Sequence, residues 1–408
     1  MEFLLQKERG WIVADQPGSC TKRTCIRGGI VYQPNGRFAP SDVWIRDGNI
    51  EQVGEGEPRD PGPPPNVIDA AGHLVVPGLI NAHFHSHGVL SRGSFHGAPL
   101  ELWSLRAAAG RARLDPEEVY TTCQLACFEV LRLGVSTLLD HTYFSGEQLD
   151  ACVQAYADAG LRVNIAPCLS DRTYPETLPL TGGETALMSQ WKEKAPDPEH
   201  LLQMCESLVQ RWHGAENGRV RIMAGASAPH RCSETLLTGL AGLASRHQLG
   251  IHTHLLETRV QAITAREFYG CGMTMYLDKV GLLGPRSSLA HGIWLTPEEL
   301  SLIRSRQATV VHNPFSNVFL GSGVAPVTAM RRAGIHVALG TDGPNCGGSL
   351  NLFEAMRWAI GLQRLNDVDH EQWLSSSDAL EMLWRGGAEA LALGDEIGGI
   401  ASGRKADL

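Results

Sequence analysis

Short alternating apolar and polar runs open the chain. Examples are Ile30-Val31-Tyr32, Val43-Trp44-Ile45 and Ile50-Glu51-Gln52-Val53. Turn chemistry separates them, at Pro34-Asn35-Gly36 and Asp47-Gly48-Asn49. This pattern predicts a small antiparallel β element, followed by a stiff Pro-rich connection at Arg59–Pro65.

From Leu74 the pattern becomes strands alternating with amphipathic helices. The predicted strands are Leu74–His85, Val135–His141, Leu161–Leu169, Val220–Ala228, Gly250–Leu256, Ser287–Trp294, Ala308–Asn313 and His336–Gly340. Predicted helices include Pro116–Leu133, Glu147–Ala159, Glu199–Trp212, Ser233–His247, Thr296–Arg306 and Ala325–Ala333. Several open on caps or early acids, as at Asp115-Pro116-Glu117-Glu118, and close on Gly134, Gly160 or Gly334. Alternation argues a parallel sheet, and eight units argue closure into a (β/α)8 barrel of the TIM type. An open doubly wound sheet is the competing arrangement that counting leaves open. The expected organisation is an N-terminal β lobe over 1–72 and a barrel over 73–393. The remaining 394–408 are expected to begin a C-terminal β segment that the chain does not complete.

The chain has 408 residues, 43% of them apolar and 19% charged, which suits a folded globular protein rather than a disordered one. A net charge of −9 leaves no basic footprint for nucleic acid. Lys22-Arg23 with Arg27 is the one small basic cluster, read as a solvated patch. The 10 cysteines form no Cys-x-x-Cys pair and read as reduced thiols. Met1–Asp15 lacks the features of a secretory leader, and no uncharged apolar run approaches membrane-spanning length. A cytoplasmic protein with no membrane partner is expected.

Barrel enzymes place their chemistry at the C-terminal ends of the strands. Strand one ends His83-Phe84-His85; residues two apart share a side, so two imidazoles aimed into the mouth can share a zinc or iron ion. Two loop histidines would give the same motif. Strand five ends His252-Thr253-His254-Leu255-Leu256-Glu257, in which Glu257 could equally be a helix-start acid. Strand six ends Ala290-His291-Gly292 and strand eight Gly340-Thr341-Asp342-Gly343. Each motif alone is weak. Together they put His, His, Glu, His and Asp at strand ends one, five, six and eight, a gathering that argues against coincidence.

The stretch Val76–His85, reading VPGLINAHFH, resembles the first-strand signature of the amidohydrolase superfamily. The likeness runs from about Ile30 to the last residue, through Pro99–Trp103, Ala228-Pro229-His230, His252–Thr258, His312–Asn317, Leu320–Gly323, Gly340–Gly343 and Gly403–Leu408. It is similar to the branch of cytosine, guanine and S-adenosylhomocysteine deaminases and triazine hydrolases.

That resemblance implies one divalent metal, zinc ahead of iron, on His83, His85, His254 and Asp342. Glu257, His291 and Asp342 are then the catalytic residues, with Glu257 the proton shuttle and His291 holding the metal-bound water. Trp103, His230 and Asn313 are expected at the substrate, although His312-Asn313 could instead order its loop. It is the family pattern that selects His254 over His252. The implied reaction is removal of an amino group from a purine, pterin, pyrimidine or triazine ring by metal-bound hydroxide, releasing ammonia. Loss of chloride or an alkylamine from such a ring is the alternative, and a catalytically silent scaffold a more distant one. No lysine occurs between Lys194 and Lys279, which disfavours a lysine-bridged pair of metals. The partners expected are a small heterocyclic substrate and further copies of the chain in a homo-oligomer. A small composite β-sandwich lobe, here incomplete, is implied beside the barrel, and Met1–Ser19 matches nothing expected of the family. His87, His96 and His141 read as loop or supporting residues, and Cys346 as pocket lining.

Overall fold

A computed structural model describes residues 22–59, 62–95, 97–109, 113–178, 194–366 and 368–408. The expectations for Met1–Ser19 and His96 lie outside the described residues.

Five strands form the lobe: β1 (Arg23–Tyr32), β2 (Phe38–Arg46), β3 (Asn49–Val53), β4 (Asn66–Asp69) and β5 (Leu74–Val75). β2 pairs antiparallel with both β1 and β3, and Asp47 (φ 49°) and Gly48 (φ 76°) make the tight turn between β2 and β3. β4 and β5 instead lie parallel to β1, so the lobe sheet is mixed rather than wholly antiparallel. Val31, Val43, Ile50, Ala70 and Val75 fill its core together with Ile400 from the far end of the chain. Residues 403–406 return to the same sheet: Gly403 N–H donates to Ile50 O (2.8 Å) and Ala406 N–H to Gly48 O (2.9 Å). Arg23 departs from the reading of a solvated basic patch. Its side chain is buried over Trp44, and its charge is met by Glu51 and Glu57.

The barrel strands are β6 (Leu79–Phe84), β7 (Val135–Thr142), β8 (Arg162–Pro167), β9 (Val220–Ile222), β10 (Ala224–Ala226), β11 (Ile251–Leu255), β12 (Ser287–His291), β13 (Thr309–His312) and β14 (Val337–Leu339). Neighbours pair in parallel throughout. β9 and β10 are halves of one strand broken at Met223, whose N–H turns back to Ile165 O of β8 (2.9 Å) while Ala224 N–H bonds Gly250 O (2.8 Å). β14 meets β6 through the parallel bridge Phe84↔Asp342 and the bond from Asp342 N–H to His83 O (3.0 Å). The architecture is a (β/α)8 barrel carrying a small β lobe.

One predicted strand was too long. Pro77-Gly78 breaks Leu74–His85, leaving β5 with the lobe and β6 with the barrel. Inside the barrel, Ile80, Ala82, Leu139, Ala166, Met223, Val311 and Ala338 pack against Ala388, Leu391, Leu393 and Ile397. That packing leaves the strand ends at His83 and His254 free to carry polar groups. The surrounding helices begin as their sequences dictate: Asp115 and Glu118 form a reciprocal capping box on Pro116–Arg132, and Thr296 and Glu299 do so on Pro297–Arg306. The described cysteines are free, and all but Cys271 are buried.

Candidate metal and catalytic centre

Alternation along β6 turns His83 and His85 to the same side, and both are buried. Each is held from behind. The Nδ1 of His85 donates to the carbonyl of His141 at the end of β7, and the Nδ1 of His254 donates to the carbonyl of Ser227. A carbonyl can only accept, so both rings carry a proton on Nδ1 and turn Nε2 inward. Those two Nε2 atoms lie 3.3 Å apart. Asp342 Oδ1 is 3.2 Å from the Nε2 of His85 and 3.6 Å from that of His83.

His291 hydrogen-bonds through Nδ1 to Asn317 Oδ1 (2.9 Å), and its Nε2 lies 3.7 Å from Asp342 Oδ2 and 3.6 Å from Glu257 Oε2. Ligand atoms of His83, His85 and His254 lie within 4.8 Å of one another, as do those of His83, His291 and Asp342. The Nε2 atoms of His83 and His291 are buried without a hydrogen-bond partner. Buried, unpaired lone pairs converging beside a carboxylate fit a divalent cation.

The backbone is strained where it delivers two of these groups. His291 (φ 77°) and Asp342 (φ 61°) occupy the left-handed region, which costs a residue bearing a Cβ about 1–2 kcal/mol. The bond from Gly343 N–H to Asp342 Oδ1 (2.7 Å) helps hold the turn. Gly340 admits the close approach: a Cβ there would stand 2.4 Å from Asn313 Oδ1 and 2.8 Å from the Cβ of His83.

Electrostatics separate the two inner carboxyls. Burial pushes Asp342 up, but the hydrogen bond from His85 and the imidazoles of His83, His85 and His291 outweigh it and hold Asp342 well below the usual range. Glu257 is pushed well above its ordinary value by burial, and further by the charges of Asp342 and Glu101. The two carboxyls are thus pushed in opposite directions, Asp342 toward the anion and Glu257 toward the neutral acid. Burial and the neighbouring imidazoles lower His254 well below its usual value, and burial lowers His291 despite Asp342.

A cavity of about 100 Å³ opens here, lined by His85, His254, Glu257, His291 and Asp342. Two of the predicted substrate residues line it too. Trp103 presents its ring, with its indole N–H spent on Phe95 O (3.1 Å). His230 is buried, with Nδ1 unpartnered, and burial then Arg231 and Arg172 lower it to about 3. Asn313 is not among the cavity's lining residues. It lies behind His291, with Nδ2 at 3.5 Å from that ring's Nδ1. His87 and Cys346 line the cavity, the latter with its thiol pushed well up by burial and by Asp342. Glu101, Tyr143, Tyr174 and Arg231 also line it without having been anticipated.

A profile of the amidohydrolase family matches residues 74–408. The chain belongs to that family. It is 33% identical over 367 residues to a 5'-deoxyadenosine deaminase of Methanosarcina acetivorans, covering 90% of this chain and 78% of that protein. It is 34% identical over 382 residues to a 5-methylthioadenosine/S-adenosylhomocysteine deaminase of Syntrophobacter fumaroxidans, covering 93% and 82%. Among solved structures it is similar to atrazine chlorohydrolase of Arthrobacter aurescens TC1 complexed with zinc. That likeness has a TM-score of 0.84 at 25% identity and covers 94% of this chain and 86% of that one. As an amidohydrolase with deaminase relatives, the chain is a hydrolase acting on carbon–nitrogen bonds of amino-substituted rings. Among the described residues no helix is long and apolar enough to cross a membrane.

Proposed function

We propose that this amidohydrolase removes the exocyclic amino group of a purine-type ring, adenine in a nucleoside being the first candidate, and releases ammonia. The observation that carries the reading is the meeting of Glu257 and Asp342 on one imidazole in one cavity, with Glu257 Oε2 3.6 Å and Asp342 Oδ2 3.7 Å from the Nε2 of His291. The deaminase relatives support adenine as the ring.

His83, His85, His254 and Asp342 would hold the metal, and three imidazoles with one carboxylate favour zinc ahead of iron. When bound, a divalent cation supplies Lewis acidity that brings the loss of a water proton into the neutral range.

The protein's own groups manage the protons. His291, tied at Nδ1 to Asn317, offers an Nε2 lone pair that orients a water by accepting one of its hydrogens. Asp342 Oδ2 lies alongside as an anionic acceptor. Glu257, whose burial favours the protonated form, donates to the ring nitrogen next to the amine-bearing carbon and so makes that carbon electrophilic. As water adds to the carbon, its proton passes to the carboxylates and then to the departing nitrogen, which leaves as ammonia. Positioned transfers of this kind contribute about 10²–10⁴-fold each.

The test is ammonia release by metal-loaded protein from a panel of adenine nucleosides, free aminopurines, aminopyrimidines, pterins and aminotriazines. Turnover of an adenine nucleoside supports the reading; no ammonia from any ring defeats it. A second reading rests on the likeness to atrazine chlorohydrolase, whose name implies a different leaving group. Chloride release from a chlorotriazine in the same panel would favour that reading.

A further inference from the structure

The catalytic set leaves two metal-binding side chains beside it unused. Ligand atoms of His141, Cys168 and His254 lie within 4.8 Å of one another. His141 stands on β7, Cys168 directly follows β8, and His254 is on β11. The proposed catalytic ligands come instead from β6, from β11 and from Asp342 after β14, so the two sets share His254 alone.

Both unused residues are arranged as ligands. His141 is buried, and its Nδ1 faces the carbonyl of Ala166 at 2.8 Å. A carbonyl can only accept, so the proton of the neutral ring sits on Nδ1 and the lone pair on Nε2. That Nε2 is buried with no hydrogen-bond partner. A core histidine ordinarily satisfies both nitrogens, because an unmet buried polar atom is costly. Cys168 is a buried free thiol. The hydroxyls of Tyr143 and Ser227, 3.2 Å apart, stand within hydrogen-bonding reach of its sulfur. Such donors support a thiolate once a cation is beside it. Tyr143, Ser227 and His254 line the inner cavity, so the second set borders it. Metal–ligand bonds of about 2.0–2.3 Å let the three close on one ion with small side-chain rotations. Two imidazoles and a thiolate also make a softer set than three imidazoles and a carboxylate.

We infer that His141, Cys168 and His254 form a second metal position, which takes thiophilic ions such as cadmium or surplus zinc and excludes the catalytic ion. A neutral imidazole has one lone pair, so His254 serves one ion at a time. Filling the second position releases the Cys168 thiol proton to solvent and withdraws His254 from the catalytic set. Surplus thiophilic metal is then an inhibitor that acts on the metal centre rather than on the substrate. The position stands on its own residues, and only its inhibitory effect rests on the proposed function.

Cadmium is the probe. Crystals of the zinc-loaded wild type soaked in cadmium chloride should show anomalous scattering from cadmium among Cys168, His141 and His254. Water alone at that point, or cadmium only on the catalytic set, overturns the position. Cobalt gives a second measurement in solution. Asp342→Asn weakens the catalytic set and leaves the second one intact. Cobalt added to this variant should therefore produce thiolate-to-cobalt charge-transfer absorption in the near ultraviolet, which a set without sulfur cannot produce. The band should persist when Cys346→Ala is added and vanish when Cys168→Ser is added. No band, or one that survives Cys168→Ser, overturns the position. The wild-type crystals decide even where Cys168→Ser does not fold. Activity tests the consequence. Cys168→Ser with one equivalent of zinc should turn over substrate as the wild type does. The cadmium concentration that halves its activity should rise at least about tenfold, the low end of the loss for removing even a supporting group. Equal sensitivity of the two proteins overturns the exclusion of the catalytic ion. Should no ring be deaminated, the proposed function fails, while the diffraction and absorption measurements still decide the position.

Discussion

The Nδ1 of His83 lies 2.8 Å from the Nε2 of His252, and the Nδ1 of His252 lies 3.0 Å from Ser288 Oγ. The two strand-five histidines therefore do different work although both face the interior. His254, nearer the strand end, presents Nε2 to His85, whereas His252, one pleat deeper, supports His83 from below.

That chain predicts a positioning role. Removing a group that orients a metal-binding histidine typically costs 10–100-fold in metal affinity. His252→Ala is expected to weaken zinc binding by about that much, with activity largely recovered at high free zinc. Ser288→Ala should act in the same direction and more weakly. Competition against a chelator measures both, and unchanged affinity in His252→Ala would refute the role.

That polar groups stand at the ends of strands one, five, six and eight was legible from strand alternation and the barrel rule, whereas the ligand set, with His254 chosen over His252, rested on the family resemblance. What escaped was whatever depends on depth or on loops. His252 and His254 have the same periodicity and differ only in height. Asn313 directly follows β13, yet it turns behind His291 rather than into the cavity. Tyr174 and Arg231 reach the cavity from segments between strands, where no period reports direction. Arg23 looked solvated because its carboxylate partners, Glu51 and Glu57, lie some thirty residues away on the sequence.

Glu257→Gln isolates proton transfer. Gln matches a carboxyl in shape and can donate a hydrogen bond, but it cannot release a proton. Zinc content is expected to stay at the wild-type level while kcat falls by about 10²–10⁴-fold. Metal analysis beside steady-state kinetics checks it, and wild-type turnover would take Glu257 out of the mechanism.

Asp140 anchors the turn that carries His85. Its buried carboxylate accepts from Ser86 N–H (3.0 Å), from Tyr156 OH (2.9 Å) and from Cys152 Sγ (3.6 Å). Asp140→Asn replaces one acceptor oxygen with a donor and leaves a buried group unsatisfied, at a cost of about 1–3 kcal/mol. Tyr156→Phe removes a single bond and is expected to cost about 1 kcal/mol. Denaturant midpoints should rank the wild type above Tyr156→Phe and Tyr156→Phe above Asp140→Asn. Because Ser86 follows His85, Asp140→Asn should also bind zinc more weakly. A fully stable Asp140→Asn would show that the carboxylate is dispensable.

Asp407 ties three barrel strands together at the end away from the catalytic groups. Its carboxylate takes a two-point bond from Arg162 at the start of β8, Nε to Oδ2 at 2.7 Å and Nη2 to Oδ1 at 3.2 Å. Thr137 of β7 donates to Oδ2 (3.4 Å), and the Asp407 carbonyl accepts from Gly78 N–H just before β6 (2.8 Å). The Arg162 side chain is 5% exposed and Asp407 21%, so the pair is screened far less than a surface bridge. Asp407→Ala leaves the guanidinium, among the described residues, with Gly218 O (3.4 Å) and is expected to cost about 1.5–3 kcal/mol. Asp407→Asn keeps one acceptor oxygen and should cost less. Once either partner is gone the other has little left to lose, so Arg162→Ala with Asp407→Ala should cost less than the two single changes added together. The zinc content and kcat of Asp407→Ala should match wild type wherever the variant remains folded. Urea midpoints for the four proteins decide the matter: additive single and double changes would mean that the contact contributes nothing to stability.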